Sequence, residues 1–326
     1  MKKYNRINDL TAENKYNSIG LSKEIISLLN LLENINPCGQ EYEITDNAII
    51  ISYSLKLNLF NFINIFPLSV RAQIIGLPIS ISEKGYWGDI DSVLEIINQR
   101  KGLKILLNGD YKFQNGGRTL STFVFENKFT SFNEYLNSLR SSYRRRINRA
   151  LNKRDKLEIV KIDRNKFNEK HYKLYLSIMD RTENPLETLS IDFFQKYDAE
   201  IYEFNDAYFL ETVAFIQLKT IENKLCFLFG GFHKENNDIY DIYFNMLLKI
   251  VEIGIEKNID TIEFGQTAEE SKLKIGCREV PKYLYAHHSN PILNFIIQKL
   301  LPVFSYKPYN IKHHVFKENH GGGRGI

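Results

Sequence analysis

At 326 residues the chain is too long for one small domain and fits one large or two medium ones. Hydrophobic residues at 43% and aromatic residues at 13% supply a real core, which excludes global disorder. The net charge of +4 is modest, and three scattered cysteines (Cys38, Cys226, Cys277) exclude a disulfide framework and a CxxC metal or redox motif.

Residues 1–8 are polar and basic, and no apolar stretch follows that could serve as a signal peptide. Ile25, Ile26, Leu28, Leu29 and Leu32 recur at helical spacing, predicting a helix over 22–32 that Asn36-Pro37 stops. Residues 48–59 and 70–78 read as strands. After the turn Gly85-Tyr86-Trp87-Gly88, the spacing of Ile90, Val93, Leu94 and Ile97 predicts a helix over 90–99. Gly102 ends it, and residues 103–107 and 120–125 are strand-like.

Phe132, Leu136, Leu139, Tyr143, Ile147, Ala150 and Leu151 form one helical stripe. Ser131 is placed to cap it, with Glu134 at the capping-box spacing. The expectation is a single connector helix, 131–156, between an N-terminal half (1–130) and a C-terminal half (157–318). A flexible tail follows at 319–326.

In the second half, residues 213–220 and 225–229 predict a hairpin around Glu222-Asn223, followed by Gly230-Gly231-Phe232. Residues 239–256 predict an amphipathic helix, and residues 259–264 a short strand ending at Gly265. The first half has the same grammar around Gly76-Leu77-Pro78 and Asn108-Gly109. The spacing from Gly76 to Gly109 is close to that from Gly230 to Gly265, which suggests an internal duplication. Strand–helix–strand units are also common by themselves. The late apolar run 292–304 is broken by Asn294, Gln298, Lys299 and Pro302. It is too short to span a bilayer, which needs about 20 apolar residues, so a soluble cytoplasmic protein is expected.

The run Tyr240-Asp241-Ile242-Tyr243-Phe244-Asn245, the helix after it, and Phe264-Gly265-Gln266-Thr267-Ala268-Glu269-Glu270-Ser271-Lys272-Leu273-Lys274-Ile275-Gly276-Cys277 carry a resemblance. So do Arg140, Tyr143, Arg144 and Arg149, which lead into Leu157-Glu158-Ile159-Val160, and Lys282-Tyr283-Leu284-Tyr285. Together these residues resemble bacterial GNAT acyltransferases of the peptidoglycan-biosynthesis and recognition type. Those are similar in turn to the Fem-type aminoacyl transferases that build cell-wall cross-bridges. The resemblance covers roughly residues 120 to 310. It implies an α/β fold of mixed sheets in two tandem GNAT-like halves, with the acyl donor in the second half.

Many GNAT enzymes hold the coenzyme A pyrophosphate on a basic, Gly-containing loop before the central helix. Here that loop is Phe232-His233-Lys234-Glu235-Asn236-Asn237-Asp238, without glycine. No resident cofactor or metal is expected. Acyl-CoA or the phosphopantetheine of an acyl-carrier protein is the expected co-substrate, with a small-molecule amine as acceptor. Aminoacyl-tRNA stays open as donor, although no sustained heptad marks the coiled-coil insertion many Fem-type enzymes carry. A non-catalytic binding protein of the same fold is the third reading.

Acyl transfer to an amine needs a base, a polarised carbonyl and a protonated leaving group. The candidate catalytic residues are His233 as base, Asp241 as acceptor of the amine's hydrogen bond, and Tyr285 as proton donor to the leaving thiolate. Each also has a plain reading: an exposed loop histidine, a favourable helix N-terminal charge, a packed strand tyrosine. Gly230 and Gly231 would let a thioester approach backbone amides, or else serve a tight turn. Gln266, Thr267 and Lys272 join them as the donor-binding set, Lys272 because the resemblance puts a lysine on the donor there. Tyr240, Tyr243, Tyr283 and Arg144 are the candidate acceptor contacts. Cys277 reads as inert. Residues 140–156 carry eight basic side chains against one acidic, a surface for a phosphate-bearing donor, an acidic carrier or tRNA, or simply a solvated face.

Overall fold

The structure, a computed structural model, describes residues 1–13, 15–58, 69–114, 116–182 and 187–317. Leu59 of the first predicted strand and the tail 319–326 lie outside these residues. The strands in chain order are β1 (Lys2–Tyr4), β2 (Glu41–Ile44), β3 (Ala48–Asn58), β4 (Ser69–Ile75), β5 (Tyr86–Gly88), β6 (Leu103–Gly109), β7 (Gly116–Arg118) and β8 (Thr122–Glu126). They continue as β9 (Leu157–Ile162), β10 (Glu200–Asp206), β11 (Thr212–Ile221), β12 (Lys224–Phe232), β13 (Thr261–Glu263), β14 (Arg278–Val280) and β15 (Tyr283–His288). The helices are α1 (Ile7–Thr11), α2 (Tyr16–Ile19), α3 (Lys23–Ile35), α4 (Ile90–Gln99), α5 (Phe132–Ser138) and α6 (Ser141–Arg154). After them come α7 (Glu169–Met179), α8 (Ile191–Lys196), α9 (Lys234–Tyr240), α10 (Ile242–Glu256), α11 (Glu269–Lys274) and α12 (Pro291–Phe304).

Two compact units result: residues 1–121 with 281–308, and residues 122–280 with the chain from Tyr309 on. The first unit has the strand order β1-β2-β3-β4-β6-β15-β7. Only β4 and β6 run parallel there, joined through α4. The second has the order β9-β10-β11-β12-β13-β8-β14, with only β12 and β13 parallel, joined through α9 and α10. Apart from β5, which pairs with β3 in the first sheet, the two strand orders share one topology, an α/β arrangement of two tandem GNAT-like halves.

The strand exchange differs from the sequence expectation. β8, counted with the first half, pairs with β13 and β14 in the second sheet. β15, counted with the second half, pairs with β6 and β7 in the first. Strand partners are chosen by non-local register, which local periodicity does not encode.

The connector is two helices, not one. Ser131 does cap the first, accepting from the Glu134 N–H at 3.2 Å, while the Glu134 carboxylate reaches back to the Thr130 N–H at 2.8 Å. The stripe then breaks at Leu139 because the C-terminal segment pairs there. Leu139 bridges Phe316, the Arg140 N–H donates to the Val315 carbonyl at 2.9 Å, and the Lys317 N–H to the Ser138 carbonyl at 2.9 Å. Phe316 in turn lies among Phe125, Phe129 and Tyr135, with ring centroids 5.7 to 6.5 Å apart.

In the second unit α5, α6 and α10 cover one face of the sheet over a core of Ile216, Leu218, Leu225, Leu247, Ile250 and Val251. The other face carries an aromatic cluster of Phe167, Tyr175, Phe193, Phe194, Phe215 and Phe229, with Phe167 and Phe194 stacked at 4.6 Å. α7 contributes Tyr175 to that cluster, so burial on both faces leaves the strands between them continuously apolar.

Candidate active site in the second unit

β12 is the strand from which the site is built. Along one edge it pairs with β11 from Lys224 to Phe232. Along the other it pairs with β13 only at Lys224, Leu225 and Cys226. The register on the β11 side shifts between Gln217 and Leu218, which face Phe229 and Phe227, so Leu228 is one extra residue, a β-bulge. Past Cys226 the two parallel strands part. The Phe232 carbonyl there accepts from Ser177 Oγ at 2.8 Å and Arg181 Nη2 at 3.1 Å. Backbone direction alternates along a strand, so Gly230, two residues earlier, points its N–H and C=O the same way as Phe232.

Across the opening, β13 runs into a strained loop. Gly265, Thr267 and Ala268 all have positive φ, at 67°, 63° and 50°. For a β-branched threonine this region is an outlier, at a cost of order 1–3 kcal/mol. Lys272 holds the loop from beneath: its Nζ donates to the carbonyls of Gly265 (3.1 Å) and Gln266 (2.6 Å), and lies 5.6 Å from the Phe123 ring centroid. The side chain is 1% exposed, and that burial pushes its amine down to about 7. Cys277, beside it, is also buried, which pushes the thiol well up from its usual range despite the lysine. A protonated, enclosed thiol is a poor nucleophile.

The segment between β12 and β13 departs from the sequence expectation. The helix predicted over 239–256 is two, α9 and α10, hinged at Asp241, whose φ is 50°. Asp241 is therefore not in a helical first turn. Its carboxylate is held bidentate by Arg146 of α6, at 2.5 and 2.9 Å, and the same guanidinium lies 4.1 Å over the Phe244 ring. The Tyr243 N–H, at the start of α10, donates to Asn237 Oδ1 at 3.2 Å. A carboxylate and a side-chain amide thus occupy the helix end that would otherwise receive an anion.

Neither a protein-family model nor a curated protein sequence matches the chain. Solved structures match it in shape. FemX superimposes with a TM-score of 0.51 at 12% identity, over 91% of this chain and 100% of that one. L-PGS from Bacillus licheniformis gives 0.50 at 14% identity, over 86% and 97%. The C-terminal domain of a putative lysylphosphatidylglycerol synthetase from Agrobacterium fabrum gives 0.48 at 10%, over 89% and 96%. The chain has a tandem GNAT-like α/β fold. At these identities the likeness is one of fold.

Within the second GNAT-like unit, the residues singled out from sequence divide clearly. Gly230 and Gly231 lie inside β12 and serve packing. A Cβ on Gly231 would stand 2.6 Å from the backbone of Leu174 and Tyr175 in α7, and one on Gly230 2.7 Å from Met246 Cε. Gln266 and Thr267 belong to the strained loop, with Lys272 below. His233 is exposed and precedes α9 with no side-chain capping bond. Tyr240 is no open pocket wall: it is buried, and its hydroxyl donates to Asp206 Oδ2. Tyr243 packs against Phe232 at 5.9 Å, and burial pushes its phenol up. Arg144 is half-buried on α6.

Tyr283 and Tyr285 do not join this set. Both sit on β15 in the first unit. Tyr285 Oη donates to Asn98 Oδ1 at 2.8 Å and its ring packs on Phe113 at 5.6 Å; burial raises its phenol. These contacts make it a core tyrosine of that sheet.

Sequence reading missed Arg146, hidden in a run of like charges, and the buried pair His171 Nε2–Glu203 Oε2 at 2.9 Å. The Asn168 N–H donates to His171 Nδ1 at 3.1 Å, so Nε2 carries the proton that faces Glu203. Among the described residues no cluster of His, Cys, Asp and Glu could hold a metal ion.

Proposed function

We propose that the protein is an N-acyltransferase that moves an acyl group from a carrier thioester to an amine by direct attack. The observation that carries this is the opening between β12 and β13, where a bulged strand edge faces a strained loop fixed by a buried lysine. Backbone donors at the Gly230 edge would bind the acyl carbonyl and, when the amine attacks, the oxyanion. In that step the amine nitrogen bonds the carbonyl carbon, the C–S bond breaks, and the thiolate takes up the proton the amine loses. His233 is the exposed base nearest in sequence to this edge. Cys277 takes no part.

A second reading, transfer from aminoacyl-tRNA, draws support from the α9–α10 hinge. Asn237 and Asp241 close the helix end on which a coenzyme A pyrophosphate would be expected, which favours a donor held elsewhere. The basic face of α6 would then take the donor's phosphates, with affinity falling steeply in salt.

Thermal shift against acyl-CoAs, acyl-loaded carrier protein and aminoacyl-tRNA separates the donors. A ligand at about 100 times its dissociation constant adds about 2.7 kcal/mol. Release of free thiol on addition of an amine then reports the reaction, and His233→Ala should slow it by about 100-fold or more. Thiol release unchanged in that variant would remove His233 as base. Absence of both stabilisation and transfer with every donor would overturn the acyltransferase reading in favour of a binding protein.

A further inference from the structure

α12 packs on the protein through Ile297 and Leu301, beside Asn294 and Gln298, and is apolar on the side that faces away. Ile297 packs against the core of Tyr53, Ala72, Ile74 and Leu103, and Leu301 is buried. Opposite them Ile292, Leu293, Phe295, Ile296, Leu300 and Val303 are exposed by 45 to 71%. At 100° per residue these six form a single outward stripe more than a third of the helix circumference wide. Isolated exposed apolar residues are ordinary, but a contiguous apolar helix face is not.

The charges around it point to what covers it. From Pro281 to Pro308 there is no aspartate or glutamate, while Lys299 and Lys307 are exposed; Lys282 is paired with Asp110 at 2.8 Å. Lys299 lies within the outward stripe, with its Nζ 5.6 Å from the Phe295 ring centroid, as a lysine does when its stem lies on apolar surface and its head reaches for solvent or phosphate. A neighbouring segment adds a basic group: Lys101 is exposed beside Gly102, whose N–H donates to Ser289 Oγ at 2.9 Å. Asp110, which follows β6, is already taken by Lys84 and Lys282, both at 2.8 Å. A helix of 14 residues is about 21 Å long, too short to cross a bilayer, and it carries Pro302 inside its last turn. No helix among the described residues is long and apolar enough to cross a membrane.

We propose that α12 is an interfacial membrane anchor, which lies in the plane of an anionic lipid surface with its outward apolar face in the acyl boundary and its lysines at the phosphates. Apolar burial supplies the binding, and each lysine near an anionic surface adds about 1 kcal/mol, roughly fivefold in affinity. This inference stands apart from the acyl reaction and from the second unit.

The test is sedimentation of the full chain with sucrose-loaded vesicles, either pure phosphatidylcholine or phosphatidylcholine with one third phosphatidylglycerol, at low and high salt. The protein should partition onto the anionic vesicles at least about tenfold more strongly than onto the neutral ones, with the difference shrinking in high salt. Phe295→Ser with Ile296→Glu and Val303→Gln, all exposed positions that leave the fold intact, should abolish that binding. Lys299→Gln with Lys307→Gln should weaken it roughly tenfold or more and flatten its salt dependence. An unchanged melting temperature in the triple variant excludes misfolding as the cause. Failure of the native chain to bind either vesicle, or equal binding by the triple variant, would overturn the proposal. So would a dimer in solution that the triple variant dissociates without any vesicle binding, since the face would then belong to a second copy.

Discussion

Lys272 shows how one residue ties pH to stability. Burial holds its amine at about 7, against 10.5 for a free lysine. Between those values the unfolded chain binds more protons than the folded one, so stability rises with pH across that window. Below pH 7 the cost of enclosing the charge is complete. Raising the pH from 7 to 9 should therefore add about 2 kcal/mol that a Lys272→Met variant does not gain. Urea unfolding of both proteins at the two pH values measures it; parallel curves would mean the ammonium is fully compensated by the Gly265 and Gln266 carbonyls. Asp241 and Arg146 supply a second case. Each is at least partly buried and the pair is bidentate, so removing either partner leaves an unpaired charge. Asp241→Ala and Arg146→Ala should each cost about 2 kcal/mol, and the double variant little more than either alone. Full additivity in that cycle would free Asp241 for the chemical role suggested by its sequence context.

At the scale of elements, two contacts decide where helices and strands stop. Gly231→Ala would drive a Cβ into the backbone of α7, and backbone cannot swing aside as a flexible side chain can. A loss of about 2–3 kcal/mol is expected, read from denaturant unfolding. Phe316 wedges into the break between α5 and α6, with its ring end 2.4 Å from where a Cβ on Gly276 would be. Phe316→Ala should cost about 3 kcal/mol and loosen the Arg140 and Lys317 amide bonds, seen as faster hydrogen exchange at both. The break illustrates what sequence does and does not carry. The stripe from Phe132 to Leu151 is helical by pattern, and both helices keep it, but the partner that interrupts it is nearly 180 residues away. By contrast, the hairpin at Glu222-Asn223 is local, and the structure has it there with Glu222 at φ 51°. The candidate site follows the same division. Gly230 and Gly231 stand out by residue type, while Gln266, Thr267 and Lys272 stand out through the resemblance. The bulge at Leu228 and the parting of β12 from β13 depend on strand pairing, which only the folded chain reveals.

For the molecule as a whole, the exchanged strands β8 and β15 make the halves of the sequence different from the units of the fold. A fragment of residues 1–130 carries β6 and β7 but not β15, the strand that lies between them and hydrogen-bonds to both. It also lacks α12, which supplies Ile297 to the core around Tyr53 and Ile74. Strand edges left open in this way are templates for aggregation rather than a stable sheet border. That fragment should therefore remain largely unfolded by circular dichroism and two-dimensional NMR. Residues 1–121 joined by a flexible linker to 281–308 contain every strand of the first sheet and should fold cooperatively. A well-folded 1–130 fragment would show that β15 is dispensable, and that the sheet's stability resides in β2, β3, β4 and β6 alone. The same logic predicts that a single nick between β8 and α5 leaves both units intact, because each is held by pairing between distant segments and not by chain continuity.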